Sequence, residues 1–155
     1  MGSGKSYWGR RVADALKFDF IDLDDYLETK ANQTISNIFK EKGESYFRKL
    51  ESKCLVEISE LSNVVVALGG GTPCNEVNLE TIKKTGLSFF INPSVQTIVS
   101  RLKAETAQRP LLHNKTAEEL TGFINKKRKE RMEYYLQSDY TIDNDNVIET
   151  VLNIL

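Results

Sequence analysis

Cysteine, proline and histidine are scarce in this sequence. Its 155 residues include two cysteines, three prolines and one histidine. Cys54 and Cys74 lie far apart and match no metal-ligand spacing, which argues against a disulfide framework or a zinc domain. We interpret both as unpaired thiols in a reducing compartment and therefore expect a cytoplasmic protein. The few prolines and the lack of low-complexity segments argue against linkers, so we predict one domain spanning residues 1–155.

The sequence also lacks a strong excess of either charge and any long apolar run. Lys and Arg number 21 against 22 Asp and Glu, which gives a net charge of −1. This balance offers no general attraction to nucleic acid or to an anionic membrane, so we expect neither as a partner. No apolar stretch approaches the ~20 residues of a membrane-spanning helix. A content of 40% hydrophobic and 28% charged residues is ordinary for a globular domain.

A phosphate-binding motif stands at the start of the sequence. Residues 1–6, Met-Gly-Ser-Gly-Lys-Ser, match the last six positions of G-x-x-x-x-G-K-[ST]. Such a loop wraps backbone N–H groups around the phosphates, its lysine reaches the β- and γ-phosphates, and its Ser hydroxyl binds Mg²⁺. A helix-like pattern over 7–17 and a strand-like run over 18–22 follow, which is the context that this motif requires. We therefore predict ATP and Mg²⁺ as cofactors, with nucleotide contacts from Gly2, Ser3, Gly4, Lys5, Ser6 and Tyr7.

Two acidic residues, Asp22 and Asp24, end the first predicted strand. In an extended segment, residues two apart point to the same side. Ligands of open α/β sheets bind beyond the carboxyl ends of the strands. One of these carboxylates can hold a magnesium-bound water, and the other can accept hydrogen bonds from substrate hydroxyls. We interpret the neighbouring Asp25 as the cap of the next helix.

The remaining chain alternates helical and strand-like patterns, as an α/β domain does. Apolar residues three and four apart predict helices at 34–39, 44–61, 76–84, 117–135 and 147–155. Gly43 is placed to end the first of these, and Pro93 to open a further helix. Apolar runs predict strands at 63–68, 87–91 and 140–143.

Two segments outside these elements indicate ligand binding. Three glycines at 69–71 follow a buried strand, and such a run is costly unless the backbone approaches a ligand closely. Residues 103–116 show little periodicity and include Arg-Pro-Leu-Leu at 109–112, so we predict a lid there. The basic run at 126–131 is interpreted as a mainly solvated helix face, with at most one or two charges directed at a site.

Taken in order, these motifs resemble the shikimate kinase family over almost the whole chain. The resemblance rests on Gly-Ser-Gly-Lys-Ser at 2–6, Asp22 and Asp24, Gly-Glu-x-x-Phe-Arg at 43–48 with Glu51, the glycines at 69–71, Arg-Pro-Leu-Leu at 109–112, and Arg131 with Tyr135. It implies ATP-dependent phosphorylation of the 3-hydroxyl of shikimate, a step of aromatic amino-acid synthesis. It also implies a monomer whose partner is this small-molecule substrate.

The resemblance implies a role for each matching nucleotide-side residue. Lys5 and Ser6 match the phosphate and magnesium positions, and Asp22 matches a residue that supports the magnesium shell. Arg109 matches a lid arginine that reaches the transferring phosphate. Arg101 is the nearest candidate for an arginine close to the adenine.

On the acceptor side, the resemblance implies that Asp24 grips the ring hydroxyls and acts as the base. Arg48 and Arg131 match a pair of arginines on the substrate carboxylate. Gly70 and Gly71 match a loop that lies against the substrate. Lys5, Asp24 and Arg109 are thus the expected catalytic residues.

The family fold implied is a three-layer P-loop kinase domain whose parallel sheet has the strand order 2-3-1-4-5. The first strand, which precedes the phosphate loop, has no counterpart in this sequence. In the family it lies between the strands matching 64–68 and 87–91. We therefore expect that these residues do not form an autonomous, active enzyme unless upstream residues or another segment fill this place.

Two other functions remain open at this point. A related small-molecule kinase, such as one acting on gluconate, needs the phosphate loop and the lid but not the pair Arg48 and Arg131. A nucleotide-binding module without turnover is favoured by the incomplete loop, but it leaves the acceptor-side residues unexplained.

Overall fold

A computed structural model describes residues 2–104, 116–143 and 145–155 of the chain. Its helices are α1 (Lys5–Leu16), α2 (Leu23–Ala31), α3 (Ile35–Ser59), α4 (Glu76–Thr85), α5 (Val95–Ala104), α6 (Ala117–Tyr135) and α7 (Val147–Ile154). The strands are β1 (Asp19–Asp22), β2 (Val64–Ala67), β3 (Phe89–Ile91) and β4 (Tyr140–Ile142), and a 3₁₀ turn spans Thr72–Cys74. The predicted α/β class is confirmed. Within these residues no helix is long and apolar enough to cross a membrane.

Side-chain caps fix several of the helix starts. Thr34 accepts a hydrogen bond from the Asn37 amide at the start of α3. Thr116 and Glu119 form a reciprocal capping box at the start of α6. Inside α3, Gly43 has φ 78° and ψ 173°, which is not helical. The predicted break at Gly43 is therefore confirmed, and it separates a short helical segment from the longer one that carries Arg48.

The four strands form two parallel pairs. In the first, β1 pairs with β2 in a register that places Asp22 opposite Ala67. In the second, β3 pairs with β4 and Phe89 lies opposite Tyr140. Among the described residues, β2 and β3 have no strand between them. This arrangement agrees with the predicted strand order, in which the first strand occupies that position.

An apolar cavity of about 880 Å³, which we name the slot, lies between the two strand pairs. Side chains of β2 and β3 line it together with parts of α1, α6 and α7. The buried apolar side chains form three clusters rather than one continuous core. One joins α2 to α3, one joins α5 to α6, and the third joins α1 to β4 and α7.

Some predicted boundaries were wrong, each for a local reason. The α2 cap is Asp22 and not Asp25, because the chain turns directly from β1 into the helix and the Asp22 side chain accepts from the Asp24 amide. Ser94 and not Pro93 precedes α5, where its hydroxyl accepts from the Thr97 amide. Lys103 lies within α5, at the start of the segment predicted as a lid. Residues 105–115 of that lid lie outside the described residues.

Candidate active site

The phosphate-binding motif forms a tight loop that leads into α1. Gly2 and Gly4 have φ values of 70° and 88°, in the left-handed region that favours glycine. A side chain on Gly2 would lie 3.0 Å from Ile98 and 3.1 Å from Leu102. Lys5 opens the helix, so the loop backbone and the partial positive charge of the helix N-terminus lie together. This is the geometry that binds phosphates.

The structure brings Lys5 and Ser6 to the first acidic residue. The Lys5 ammonium donates to both Asp22 oxygens, at 3.0 and 2.8 Å, and the Ser6 hydroxyl donates to Oδ2 at 2.5 Å. Burial alone would raise the pKa of Asp22. The hydrogen bonds from Lys5 and Ser6, together with the Lys5 charge, outweigh burial and lower this pKa. Asp22 is therefore held ionised beside the hydroxyl that was predicted to bind the metal.

The second acidic residue, Asp24, also lies close to Lys5, but its backbone conformation differs from the one predicted. It lies in the first turn of α2 rather than on an extended segment with Asp22. Its Oδ2 atom nevertheless lies 3.7 Å from the Lys5 ammonium. Burial raises the pKa of Asp24, and the nearby carboxylates of Asp22 and Glu51 act in the same direction against the Lys5 charge. The two carboxylates thus have opposite pKa shifts, as groups with different chemical roles often do.

Gly69 packs closely against the Asp24 side chain. A Cβ on this residue would lie 3.2 Å from Asp24 Oδ1 and 3.1 Å from the Thr72 hydroxyl. The first of the three glycines is therefore needed for close packing. Sequence reasoning assigned binding roles to Gly70 and Gly71 only.

A buried acid holds Arg48 at the other side of this loop. Glu51 is only 2% exposed, and its two oxygens accept from the Arg48 guanidinium and the Thr72 hydroxyl, both at 2.8 Å. The Arg48 terminal nitrogens would lie 2.9 Å from a Cβ on Gly71. The predicted residues Arg48 and Gly71 are thus in close proximity.

The remaining loop glycine, Gly70, is contacted from α6, the helix that also carries Arg131. Gly70 accepts a hydrogen bond from the Tyr135 hydroxyl at 2.7 Å. Arg131 lies one turn earlier on the same helix and influences the pKa values of both Tyr135 and Cys74. Arg48 also influences the pKa of Cys74. The two predicted arginines therefore approach one region, around Cys74, from separate helices.

Arg101 contacts the phosphate loop itself. Its Nη1 atom donates to the Ser3 carbonyl at 2.9 Å, and its Nη2 atom lies 3.5 Å from an Asp145 oxygen. The predicted nucleotide contact Tyr7 is 53% exposed in the first turn of α1. Arg109 lies outside the described residues, so its predicted lid role is not addressed by this geometry.

Several residues that organise the site had been given no role from the sequence. Glu51, Gly69 and Tyr135 belong to the motifs quoted above, whereas Thr72 was part of no assigned pattern. An acid among the apolar positions of α3 is the signal that could have identified Glu51, because buried carboxylates are normally paired. No local signal connects Tyr135 to Gly70, which are 65 positions apart.

Comparison with known proteins identifies a family with similar sequences. A sequence model of the family described as shikimate kinase matches residues 1–155. A shikimate kinase from Bacteroides thetaiotaomicron is 38% identical over 147 residues, covering 95% of this chain and 84% of the relative. One from Clostridium botulinum is 40% identical over 152 residues, covering 97% and 87%.

Solved structures give the same result. The crystal structure of the shikimate kinase from Bacteroides thetaiotaomicron superimposes with a TM-score of 0.90 at 36% identity, covering 99% of this chain and 90% of that one. The structure of shikimate kinase from Acinetobacter baumannii in complex with shikimate gives a TM-score of 0.84 at 30% identity, covering 99% and 86%. The fold is therefore that of a P-loop kinase, and the chain belongs to the shikimate kinase family.

Proposed function

We propose that this chain transfers the γ-phosphoryl group of ATP to the 3-hydroxyl of shikimate, with the residues described above as its machinery. One observation carries the assignment of roles. Lys5, on the phosphate loop, contacts both Asp22 and Asp24. The proposed nucleotide side and the proposed acceptor side of the site are therefore adjacent. A site for phosphoryl transfer needs this adjacency, because donor phosphate and acceptor hydroxyl must be aligned.

On the nucleotide side, the backbone of residues 2–6 is proposed to hold the phosphates, with Lys5 as the point charge on the transferring group. Arg101 would hold the phosphate loop through the Ser3 carbonyl and lie close to the adenine base. Tyr7 would flank the nucleotide. Ser6 and Asp22 are proposed to hold Mg²⁺, since their oxygens lie 2.5 Å apart and oxygen ligands suit this ion. When bound, Mg²⁺ would neutralise charge on the phosphate oxygens.

On the acceptor side, Asp24 is proposed to accept the hydrogen bond of the 3-hydroxyl and then its proton. The hydroxyl oxygen forms the new bond to phosphorus, the bond to the ADP oxygen breaks, and the proton goes to the Asp24 carboxylate. Gly70 and Gly71 would lie against the ring, and Arg48 and Arg131 would bind the substrate carboxylate. Planar guanidinium groups suit this task because each can contact both carboxylate oxygens.

A lid at about 103–116 is proposed to close over the nucleotide, with Arg109 on the transferring phosphate. Closure would exclude water, which otherwise competes with the shikimate 3-hydroxyl for the phosphoryl group. This role predicts that Arg109→Ala lowers kcat more than it weakens ATP binding, whereas a purely binding role predicts the reverse.

We further propose a cytoplasmic monomer. Cys54 and Cys74 are both unpaired, which suits a reducing compartment. Sedimentation equilibrium of the purified protein tests the monomer.

A coupled ADP-release assay tests the proposed reaction. Purified protein with ATP and Mg²⁺ is offered shikimate, gluconate or no acceptor. We expect turnover that depends on shikimate from protein in which a strand fills the slot. Turnover with gluconate alone would favour the related small-molecule kinase, and nucleotide binding without turnover for any acceptor would favour the binding module.

A further inference from the structure

Tyr135, the last residue of α6, links three parts of the molecule. Its hydroxyl donates to the Gly70 carbonyl at 2.7 Å. Its ring packs on Phe90 of β3, with ring centroids 4.9 Å apart. Gly70 follows β2 and Phe90 lies in β3, so the two residues belong to different strand pairs. Tyr135 therefore ties the glycine loop to the opposite side of the slot.

The hydrogen bond to Gly70 sets the orientation of one peptide plane. The structure contains no cis peptide bonds among its described residues. In a trans peptide, a carbonyl and the following N–H point in opposite directions. Because the Gly70 carbonyl faces Tyr135, the Gly71 N–H is turned to the opposite side of the loop. Glycine has little conformational preference of its own, so an external hydrogen bond is needed to hold this orientation.

Two further contacts join this hydrogen bond to the arginines. The Cys74 thiol also donates to the Gly70 carbonyl, at 3.7 Å. Burial raises the pKa of Tyr135, while a hydrogen bond and the charge of Arg131 act against it. Arg131 and Tyr135 are four residues apart, which places them on one face of α6. The phenol thus contacts the glycine loop from the helix face that also carries Arg131.

We propose that Tyr135 is a positioning residue for shikimate binding, which orients the peptide between Gly70 and Gly71 relative to Arg131. This inference rests on the proposed acceptor pocket. Among the described residues, the Tyr135 side chain contacts Gly70 and Phe90, and not the nucleotide-side pair Lys5 and Asp22. Loss of its hydroxyl should therefore weaken shikimate binding and leave ATP binding unchanged.

Tyr135→Phe tests the proposal because it removes the hydroxyl and keeps the ring on Phe90. Tyr134→Phe is the matched control, since no hydrogen bond of the Tyr134 hydroxyl is found in the described part of the chain. Both variants are compared with a wild-type preparation that turns over shikimate. KM values for shikimate and ATP, kcat, the Kd for shikimate from titration calorimetry, and thermal melting are measured.

We expect Tyr135→Phe to raise KM and Kd for shikimate about 3- to 10-fold, as the loss of one neutral hydrogen bond does, with little change in the KM for ATP. Tyr134→Phe should resemble the wild type. An unchanged Kd for shikimate in Tyr135→Phe, or equal losses for shikimate and ATP, would overturn the proposal. If the wild type binds and phosphorylates no shikimate, the proposed function fails instead, which is a distinguishable result.

Discussion

At the residue scale, neighbouring side chains give two similar carboxylates different properties. Asp22 accepts hydrogen bonds from Lys5 and Ser6, and these hold its pKa low. Asp24 Oδ2 lies farther from the Lys5 ammonium, at 3.7 Å, and Asp24 is also near Asp22 and Glu51. Burial, and after it the like charges of Asp22 and Glu51, disfavour the ionisation of Asp24 and raise its pKa, so Asp24 is the better proton acceptor of the two.

The raised pKa of Asp24 predicts an acidic limb in the pH profile of kcat/KM. The active form has this carboxylate ionised, so activity falls as the pH drops through the Asp24 pKa, which lies above the usual 3.8. Asp22 stays ionised through that range because its pKa is lowered. We expect Asp24→Asn to lower kcat strongly and to abolish the limb in the residual activity, without a comparable loss of thermal stability. Retention of the limb in this variant would assign it to another group.

The two arginines provide a second prediction at this scale. Arg48→Ala and Arg131→Ala should each lower kcat/KM for shikimate by ~2–5 kcal/mol, or roughly 30- to several-thousand-fold, if each binds the carboxylate. Against an analogue with the carboxylate reduced to an alcohol, the variants should lose little further. Because Glu51 is buried against Arg48, Arg48→Lys is added to keep a positive charge there.

Arg128→Ala is the matched control for these arginines. Arg128 lies on the same helix as Arg131, but its guanidinium donates to the Pro93 carbonyl and to the Asn92 side chain. A structural arginine of this kind should affect the acid and the alcohol equally. If Arg131→Ala behaves in the same way as Arg128→Ala, Arg131 supports packing and the carboxylate clamp is wrong.

At the element scale, one glycine sets the direction of the helix that carries Arg48. Gly43 has φ 78° and ψ 173°, a conformation that is essentially restricted to glycine. No atom lies within 4 Å of a Cβ built there, so a substitution is opposed by backbone strain and not by a clash. Gly122 in α6 also has open space around its Cβ position, but it lies in a regular helix.

The same substitution should therefore have opposite effects in these two helices. We expect Gly43→Ala to destabilise the protein by ~1–3 kcal/mol because of strain. Gly122→Ala should stabilise it by ~0.5–1 kcal/mol, since alanine favours an exposed helical position. Urea denaturation of both variants measures the free energy of unfolding. Destabilisation of similar size by both would mean that packing, rather than backbone conformation, dominates at Gly43.

The elements were largely predictable from the sequence, whereas the connections between them were not. Helix α6 was predicted at 117–135 and is observed at Ala117–Tyr135, because its start depends on a local capping box. The break at Gly43 was likewise a local property. By contrast, Arg101 reaches the Ser3 carbonyl across 98 positions, and no periodic pattern specifies which carbonyl a distant arginine will meet. The family motifs named the residues of the proposed site. They did not specify that Glu51 pairs with Arg48 or that Tyr135 hydrogen-bonds to Gly70.

At the scale of the whole molecule, the slot separates the two strand pairs. Val66 of β2 packs on the cluster around α2 and α3, whereas Val65 of β2 and Phe89 and Ile91 of β3 all pack on the cluster joining α1 to α7. Both strands present one edge to the slot, and within the described ranges those edges pair with no strand. Backbone N–H and C=O groups at such edges seek partners, and the apolar walls favour an apolar occupant. The slot is thus shaped for an additional strand.

Filling the slot with an engineered strand should stabilise the protein. The slot extends to Ser3, so a segment fused before residue 1 can enter it from the phosphate loop. We propose fusing five β-branched apolar residues, followed by a glycine and one further residue before Met1, which together complete the eight positions of the loop motif. A strand covered on both faces buries most of its side chains, each worth ~1.5–3 kcal/mol, and several of them approach the ~5–15 kcal/mol of a whole domain. The melting temperature and the shikimate-dependent ADP release should both rise above those of a chain carrying a Gly/Ser extension of equal length. Equal melting temperatures for the two extensions would show that the slot does not accept a strand, and the separation of the two strand pairs would then need another explanation.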